Sequence, residues 1–235
     1  MDNMIVKDSF WDIFPEAQIN VLIVKGVNNT LKDVDVYENM LNVAKENSLK
    51  YLSEENFSDN VIIKQWRNDY TKFKKKKGAR SSIEALLKRV AQGKGVGSIN
   101  PLVDIYNSIS MSYGVPVGGE DMDAIMGDMT LGVAEGGEDF YPLGDDNNEP
   151  ALSGEVIYAD DKGAVCRCLN WRDGQRTMLT EDTHNAILLI ESTRSDTHER
   201  ANNAIKALQK AIKDNLQVES MRYQLSRNDS NIKFL

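Results

Sequence analysis

Apolar residues follow two rhythms along the chain, and the change comes a little past its middle. "INVLIVKGV" (Ile19–Val27) is a short run rich in β-branched residues and closed by Gly26, as expected of a buried strand. From Leu31 to Ser48 the spacing turns helical. Val34, Tyr37, Leu41 and Ala44 share one side, and Thr30 stands where an N-cap belongs. Ile62, Trp66 and Tyr70 recur at i, i+4 and i+8 and predict a helix from Asp59 onward. "SSIEALLKRV" begins with Ser81-x-x-Glu84, a capping box, and gathers Ile83, Leu86, Leu87 and Val90 on one face. The glycine-rich "QGKGVGS" ends that helix. "SINPLVDIYNSISMSYGVPVGGEDMDAI" (Ser98–Ile125) reads as a further helix that breaks into Pro116, Gly118 and Gly119.

From Met129 the runs shorten. "MTLGVA", "EVIYAD", "AVCRCLNW" and "AILLIEST" are separated by the turn clusters "AEGGED", "GDDNNEP" and "DDKG", a pattern of antiparallel sheet. "SDTHERANNAIKALQKAIKDNL" then returns to the helical period. Asp196 is the expected cap, Glu199 lies three residues on, and Ala204, Leu208, Ala211 and Ile212 form a stripe. Helices and strands are interspersed without a strict βαβ alternation. The expected class is therefore α+β, a mixed or antiparallel sheet packed with helices. No linker stands out, so residues 1–235 are expected to form one domain, with the strand and helices of 19–70 and the helix at 196–216 in the same unit.

Charge narrows the partners. The 28 Lys and Arg against 36 Asp and Glu leave a net charge of −8, which argues against indiscriminate coating of nucleic acid. One local exception is "KFKKKKGAR", which holds Lys72, Lys74, Lys75, Lys76, Lys77 and Arg80. Such a run is either a solvated loop or a contact for a phosphate backbone. No apolar run approaches the roughly 20 residues of a membrane span, and the N-terminal "MDNMIVKDSFWDIFPEA" predicts no signal peptide. Cys166 and Cys168 are the only cysteines. On a strand their thiols would share a face and be poorly placed to bond each other. Buried, reduced thiols in a cytoplasmic protein are the expectation.

The inventory of catalytic groups is thin. His184 and His198, the only histidines, are not spaced for a Ser-His-Asp or Cys-His arrangement, and no metal site is expected. "GKGVGS" follows a helix and lacks the Lys-Ser/Thr ending of a phosphate loop. What remains is polar residues set inside apolar patterns. Asn100, Asp104 and Asn107 fall on one helix face. Gly118 and Gly119 precede Glu120 and Asp121. "LNWRDGQRT" brings Asn170, Arg172, Asp173, Gln175, Arg176 and Thr177 after a strand, and Glu191 closes the strand "AILLIE". Each has an ordinary solvent-facing reading. Taken together they suit a pocket with donors and acceptors but no strong general base. Such a pocket fits recognition of a small polar ligand, or hydrolysis of an activated ester by a positioned water.

"INPLVDIYNSI", "GVPVGGEDMDAI" with "GDMTLGVAEGGEDFYPLG", "EVIYADDKGAV" and "LTEDTHNAILLIES" occur in an order that resembles the B3/B4 domain, the editing domain of the phenylalanyl-tRNA synthetase β chain. The resemblance runs from about Arg80 to Glu191 and takes in Asn100, Val103, Asp104, Asn107, Pro116, Asp121, Asp123, Gly127, Glu138 and Glu191. "FPEAQINVLIVKGV", "RSSIEALLKRV" and "NWRDGQRT" are similar to freestanding members of that family. The resemblance implies an α+β editing fold and an enzyme that deacylates mischarged aminoacyl-tRNA in trans. It implies tRNA as partner, no cofactor, no membrane and a monomer as the working form, although oligomeric state is left open. It also implies a water held by the pocket, assisted by the terminal ribose hydroxyl, in place of a protein nucleophile.

Carried onto this chain, the resemblance assigns water-positioning to Asn100, Glu120 and Asn170. It puts Asp104, Asn107, Gly118, Gly119, Trp171, Arg172, Thr177 and Glu191 around the aminoacyl group, and Lys74, Lys75, Lys76, Lys77 and Arg80 against tRNA. Two departures and one match bear on the substrate. Gly118 and Gly119 stand where the synthetase pattern has a histidine and a small residue. Asn170, Trp171 and Arg172 fill a turn that is glycine-rich there. Glu191 matches the glutamate that recognises a tyrosine hydroxyl. A retained glutamate in a more crowded pocket implies a smaller hydroxylated amino acid, serine or threonine. Loss of the histidine favours a different reading, a non-catalytic module that binds tRNA, other RNA or an amino acid. A third reading is a protein acting on a small amino-acid ester without tRNA.

Overall fold

The chain opens with strand β1 (Asn3–Val6), helix α1 (Asp8–Ile13) and strand β2 (Gln18–Lys25), then runs through helices α2 (Val34–Ser48), α3 (Val61–Asp69), α4 (Ser82–Ala91) and α5 (Pro101–Tyr113). Strands β3 (Gly118–Asp121), β4 (Met129–Val133), β5 (Val156–Asp160), β6 (Gly163–Arg167), β7 (Arg172–Asp173) and β8 (Asn185–Ser192) follow. Helix α6 (His198–Leu216) and strands β9 (Ser220–Leu225) and β10 (Asn231–Lys233) complete the order. The computed structural model describes residues 1–234. The fold is α+β, as its sequence pattern implies, built on two sheets. One is six-stranded in the order β10-β1-β4-β5-β6-β7, the other four-stranded in the order β3-β8-β2-β9. Every pairing is antiparallel except β1 with β4.

The two-residue period of β2 and β8 separates two cores. Ile19, Val21, Ile23, Ile187 and Leu189 face the six-stranded sheet. There they pack with Met4, Met129, Leu131, Val156, Tyr158 and Val165, and with Phe10, Trp11, Ile63 and Trp66 from α1 and α3. Leu22, Val24, Ala186, Leu188 and Ile190 face the other way, against Leu102, Ile105 and Ile109 of α5 and Ala204, Ile205, Leu208 and Ile212 of α6. Because β8 is apolar on both faces, it is the central wall between these layers. Its last residues, Glu191 and Ser192, carry polar groups into the interior.

Several sequence-level boundaries move, each for a local reason. Helix α2 starts after Asp33 rather than at Leu31, and Thr30 does not cap it. Helix α3 starts after Asn60, not at Asp59, and Asp59 belongs to a separate helical turn (Phe57–Asp59). Ser81 does cap α4, accepting from the Glu84 N–H at 3.3 Å, but the Glu84 carboxylate takes Arg67 instead of closing the box. Asp196 pairs with Arg194 and lies in a short helical turn, Ser195–Thr197, ahead of α6. Helix α5 ends earlier than Pro116, at Gly114, whose φ of 63° closes the helix in the left-handed region. Gly118 and Gly119 are therefore the start of an edge strand paired with β8 and not a helix break. Cys168 leaves the strand that holds Cys166, so the two thiols do not share a strand face; both are free and buried.

Candidate functional site

Cys168 and Leu169 have φ of 49° and 65°, a region that L side chains other than glycine seldom occupy. The strain, of order 1–3 kcal/mol per residue, is held in place by two bonds. The Tyr70 hydroxyl donates to the Cys168 carbonyl at 2.7 Å, and the Leu169 N–H donates to the Val156 carbonyl at 2.7 Å. The result is a sharp corner after β6 that swings Asn170 and Trp171 under β8. Asn170 is then fixed on three sides: its Oδ1 lies 3.1 Å from the Tyr70 hydroxyl and shares that one proton with the Cys168 carbonyl, its own carbonyl accepts from the Ser82 N–H at 3.1 Å, and its Nδ2 donates to Glu191 at 3.1 Å.

This corner forms one wall of a cavity of about 220 Å³. Gly118, Gly119, Glu120, Leu189 and Glu191 supply the wall from β3 and β8. Tyr158, Cys166 and Asp173 face it from β5, β6 and β7. Helix α4 contributes Ser82, Ala85 and Leu86, and α5 contributes Tyr106 and Asn107. The volume lies below the roughly 300–1,000 Å³ of sites for drug-sized ligands and suits a smaller ligand.

Three carboxyl groups meet here, those of Glu120, Asp173 and Glu191. Burial, first of all, raises the affinity of each for a proton. For Glu120 the shift is large and is reinforced by the negative charge of Asp173; the charge of Arg176 only partly opposes it. Glu120 is 2% exposed, yet its Oε2 has no hydrogen-bond partner among the described residues. Glu191 is the opposite case: Oε1 accepts from the Tyr158 hydroxyl at 2.8 Å and Oε2 from Asn170. The Cys166 thiol, beside Asp173, is pushed far up by burial and by the carboxylates around it, and Cys168 is pushed up to about 12. A thiol held protonated is a poor nucleophile.

Of the residues expected around the substrate, the structure brings Asn107, Gly118, Gly119, Glu120, Asn170, Trp171 and Glu191 to this cavity. Asn100, Asp104, Arg172 and Thr177 lie elsewhere. Asn100 is not a helix-face residue but the N-cap of α5. Its Oδ1 accepts from the Val103 N–H at 3.1 Å and from Asn29, and its Nδ2 reaches the Leu179 carbonyl. Asp104 is fully buried and binds Ser98 and the Ile99 N–H, which ties down the loop before α5. Arg172 points away because Asp173 points in: on β7 the register sets Asp173 opposite Cys166 and Arg172 opposite Arg167. Thr177 lies behind Glu120, its hydroxyl without a partner. The sequence pattern assigns no role to Tyr158, Tyr106, Cys166 or Ser82, and offers Asp173 only as one of several polar residues for a pocket. Alternation around "RD" in "NWRDG" is the one available signal, and it does not say which of the two residues faces inward.

The basic stretch is a loop next door. Lys76 is neutralised by Glu149, and the Lys74 backbone is tied to Gly154 and Glu155. Lys75 and Arg80 line a separate groove with Arg67, Tyr70, Gly78 and Glu84. Lys77 is exposed and forms no ion pair among the described residues. Tyr70 joins groove and cavity through its bond to Asn170, and Arg80 stands just before the α4 cap, two residues from Ser82.

The fold is thus α+β, with a small cavity between two sheets whose largely apolar lining carries three carboxyl groups. The B3/4 domain family model matches residues 65–225, and the chain belongs to that family. Among curated proteins, the phenylalanine–tRNA ligase beta subunit of Psychrobacter arcticus is 36% identical over 97 residues, 40% of this chain and 12% of that protein. The corresponding subunit of Fusobacterium nucleatum is 30% identical over 104 residues, 44% of this chain and 13% of that protein. The matches therefore span about an eighth of the relatives' length. A crystal structure of an N-terminal fragment of the phenylalanyl-tRNA synthetase beta subunit from Pyrococcus horikoshii shares the fold, with a TM-score of 0.52 and 13% identity. It covers 94% of this chain and 53% of the fragment. Among the described residues, no helix is long and apolar enough to cross a membrane.

Proposed function

We propose that the protein is an aminoacyl-tRNA deacylase acting in trans, which removes a small hydroxylated amino acid, serine or threonine, from mischarged tRNA. One observation carries this reading. Four of the five segments that resemble the editing domain, all but "GDMTLGVAEGGEDFYPLG", send residues to a single cavity, and that cavity pairs carboxyl and amide groups with a thiol kept protonated. Such a set of groups positions water. The water oxygen attacks the ester carbonyl carbon, the bond to the ribose oxygen breaks, and that oxygen leaves with a proton. Asn107, Asn170 and Glu120 supply the orienting groups, and the neighbouring ribose hydroxyl assists. Tyr106 and Trp171 wall the space for the side chain, with Glu191 as acceptor for its hydroxyl. Lys74, Lys75, Lys77 and Arg80 offer positive charge for phosphates of the acceptor end.

The test is release of free amino acid from a panel of mischarged and correctly charged tRNAs incubated with the purified protein. Faster release than in buffer, from seryl or threonyl esters on a non-cognate tRNA, supports the proposal. Release from none of them sinks it. A specific observation favours a second reading, that of a binding module without hydrolysis: Glu191 is already engaged by the chain's own Tyr158 and Asn170. Tight binding of tRNA or of an aminoacyl analogue without turnover would establish that reading instead.

A further inference from the structure

We infer that Glu120 and Asp173 form a subsite for the α-ammonium group of an amino acid whose own carboxyl group is masked, so that the cavity accepts an aminoacyl ester or amide and rejects the free amino acid. The inference rests on reading the cavity as an aminoacyl site, but not on hydrolysis taking place in it.

The charge pattern is one-sided. Glu120, Asp173 and Glu191 line the cavity, and among the described residues no lysine, arginine or histidine does. The cation that acts on Glu120 from outside, Arg176, is committed to Asp160 by bonds of 2.7 and 2.8 Å. A free amino acid brings a carboxylate along with its ammonium group. Here that carboxylate would be desolvated beside three carboxyl groups with no cation to receive it, a like-charge arrangement that interfaces use to exclude wrong partners. An ester or amide brings only the ammonium group.

The cavity also has an unmet demand. Glu120 Oε2 is buried and accepts from no protein donor, whereas both oxygens of Glu191 are occupied. Buried acceptors in native proteins are normally satisfied, so an orphan at a cavity wall marks a place where a donor binds. An ammonium group has three N–H donors and a charge, enough to bridge Glu120 and Asp173. Gly118 precedes Glu120 on the same strand face, and a Cβ added there would meet nothing within 4 Å. The approach to the pair is therefore open.

Proton linkage gives an independent readout. The groups around the pair are Asp173 on β7, Cys166 on β6, Tyr158 and Asp160 on β5, Tyr106 on α5, Glu191 on β8, and Thr177 and Arg176 in the segment before β8. Arg176 apart, all are neutral or anionic. An arriving cation favours ionised carboxylates and drives a bound proton off.

The experiment is calorimetric titration of the full chain with serinamide, threoninamide, alaninamide and tyrosinamide, set against free serine, threonine, alanine and tyrosine and against N-acetylserinamide. At least one amide is expected to bind about tenfold or more tightly than its free amino acid, with N-acetylation abolishing the gain. Titrations in buffers of different ionisation enthalpy should show proton release by the wild-type protein. Glu120→Gln with Asp173→Asn should remove both the preference and the proton release. If that double variant fails to fold, the wild-type comparison and the proton count still decide. Equal affinity for an amide and its free amino acid, an N-acetyl amide that binds as well, or no binding across the panel would each overturn the subsite. Amide preference without release of amino acid from any tRNA would leave the subsite standing and remove the deacylase. Deacylation without amide preference would do the reverse.

Discussion

The hydroxyl of Tyr158 donates to Oε1 of Glu191 at 2.8 Å, across the gap between the two sheets. Strand β5 supplies the tyrosine and β8 the glutamate, so one hydrogen bond ties the sheets together at the cavity wall. It also sets how Glu191 meets a ligand. A carboxylate oxygen accepts more than one hydrogen bond, and a substrate hydroxyl must share Glu191 with Tyr158 or displace it.

Glu191→Ala should lower discrimination between a hydroxylated aminoacyl group and its deoxy analogue. A hydrogen bond to a charged acceptor is worth about 1.5–3 kcal/mol, or roughly 10- to 150-fold. Tyr158→Phe should cost about 0.5–1.5 kcal/mol of stability while leaving the preference for the hydroxyl intact. Deacylation of seryl- and alanyl-tRNA on one tRNA body, with melting curves for both variants, separates these effects. A Glu191 variant that slows both substrates equally would remove the residue from specificity.

Adjacent glycines should respond oppositely to alanine. At Gly119 a Cβ would lie 2.5 Å from Leu188 Cδ2 and 3.0 Å from Leu179 Cδ1, so Gly119→Ala should destabilise by about 1–3 kcal/mol. At Gly118 it meets open space and an extended backbone, so Gly118→Ala should stabilise by about 0.4–1 kcal/mol. The same methyl narrows the cavity and should slow release of threonine more than of serine. Denaturant melts and paired rate measurements check both halves; equal stability changes at the two positions would contradict the packing described.

Glu120, Asp173, Glu191 and Asp104 all bind a proton more readily in the folded chain than in the unfolded one, principally because they are buried. The stability this linkage gives is complete below the unfolded carboxyl values, near pH 4, and is lost as pH rises through the folded values. Glu120→Gln removes the largest of these costs. The variant should therefore melt above wild type at pH 8, and the gap should close as pH falls toward 5. A gap that stays constant with pH would mean that Glu120 is ionised without penalty in the folded protein.

Charge reversal at Lys75, Lys77 and Arg80 should weaken tRNA binding and flatten its salt dependence, by roughly 0.7–0.9 in the logarithmic slope for each phosphate no longer neutralised. Lys76, already paired with Glu149, should matter less when changed to glutamine. Binding isotherms across a salt series measure both. An unchanged slope would return the stretch to a solvated loop.

Local chemistry determined much of the framework. The β-branched run at Ile19–Val24, the apolar stripe of α6 and the Ser81 cap of α4 all stand in the structure, because each depends on contacts or spacings within a few residues. The presence of Gly118–Glu120, Asn170 and Glu191 at a common site was also legible, through ordered resemblance. Only the tertiary structure decided the rest. Strand β10 is only three residues long, and the alternation of Met221, Tyr223 and Leu225 in β9 marks a strand without naming its partner; the two pair with β1 and β2 from the far end of the chain. Asn100 lies on the Asn107 side of α5 by helical spacing, but the residue that caps a helix turns its side chain back to unpaired N–H groups and never reaches the cavity. Asp173 and Arg172 are interchangeable to a two-residue period; the register of β7 against β6 turns the aspartate in and the arginine out. The meeting of Asp173, Tyr158 and Cys166 with Glu120 and Glu191 needs two sheets brought face to face. That is set by burial of a shared core, a sum over distant residues that no local pattern contains.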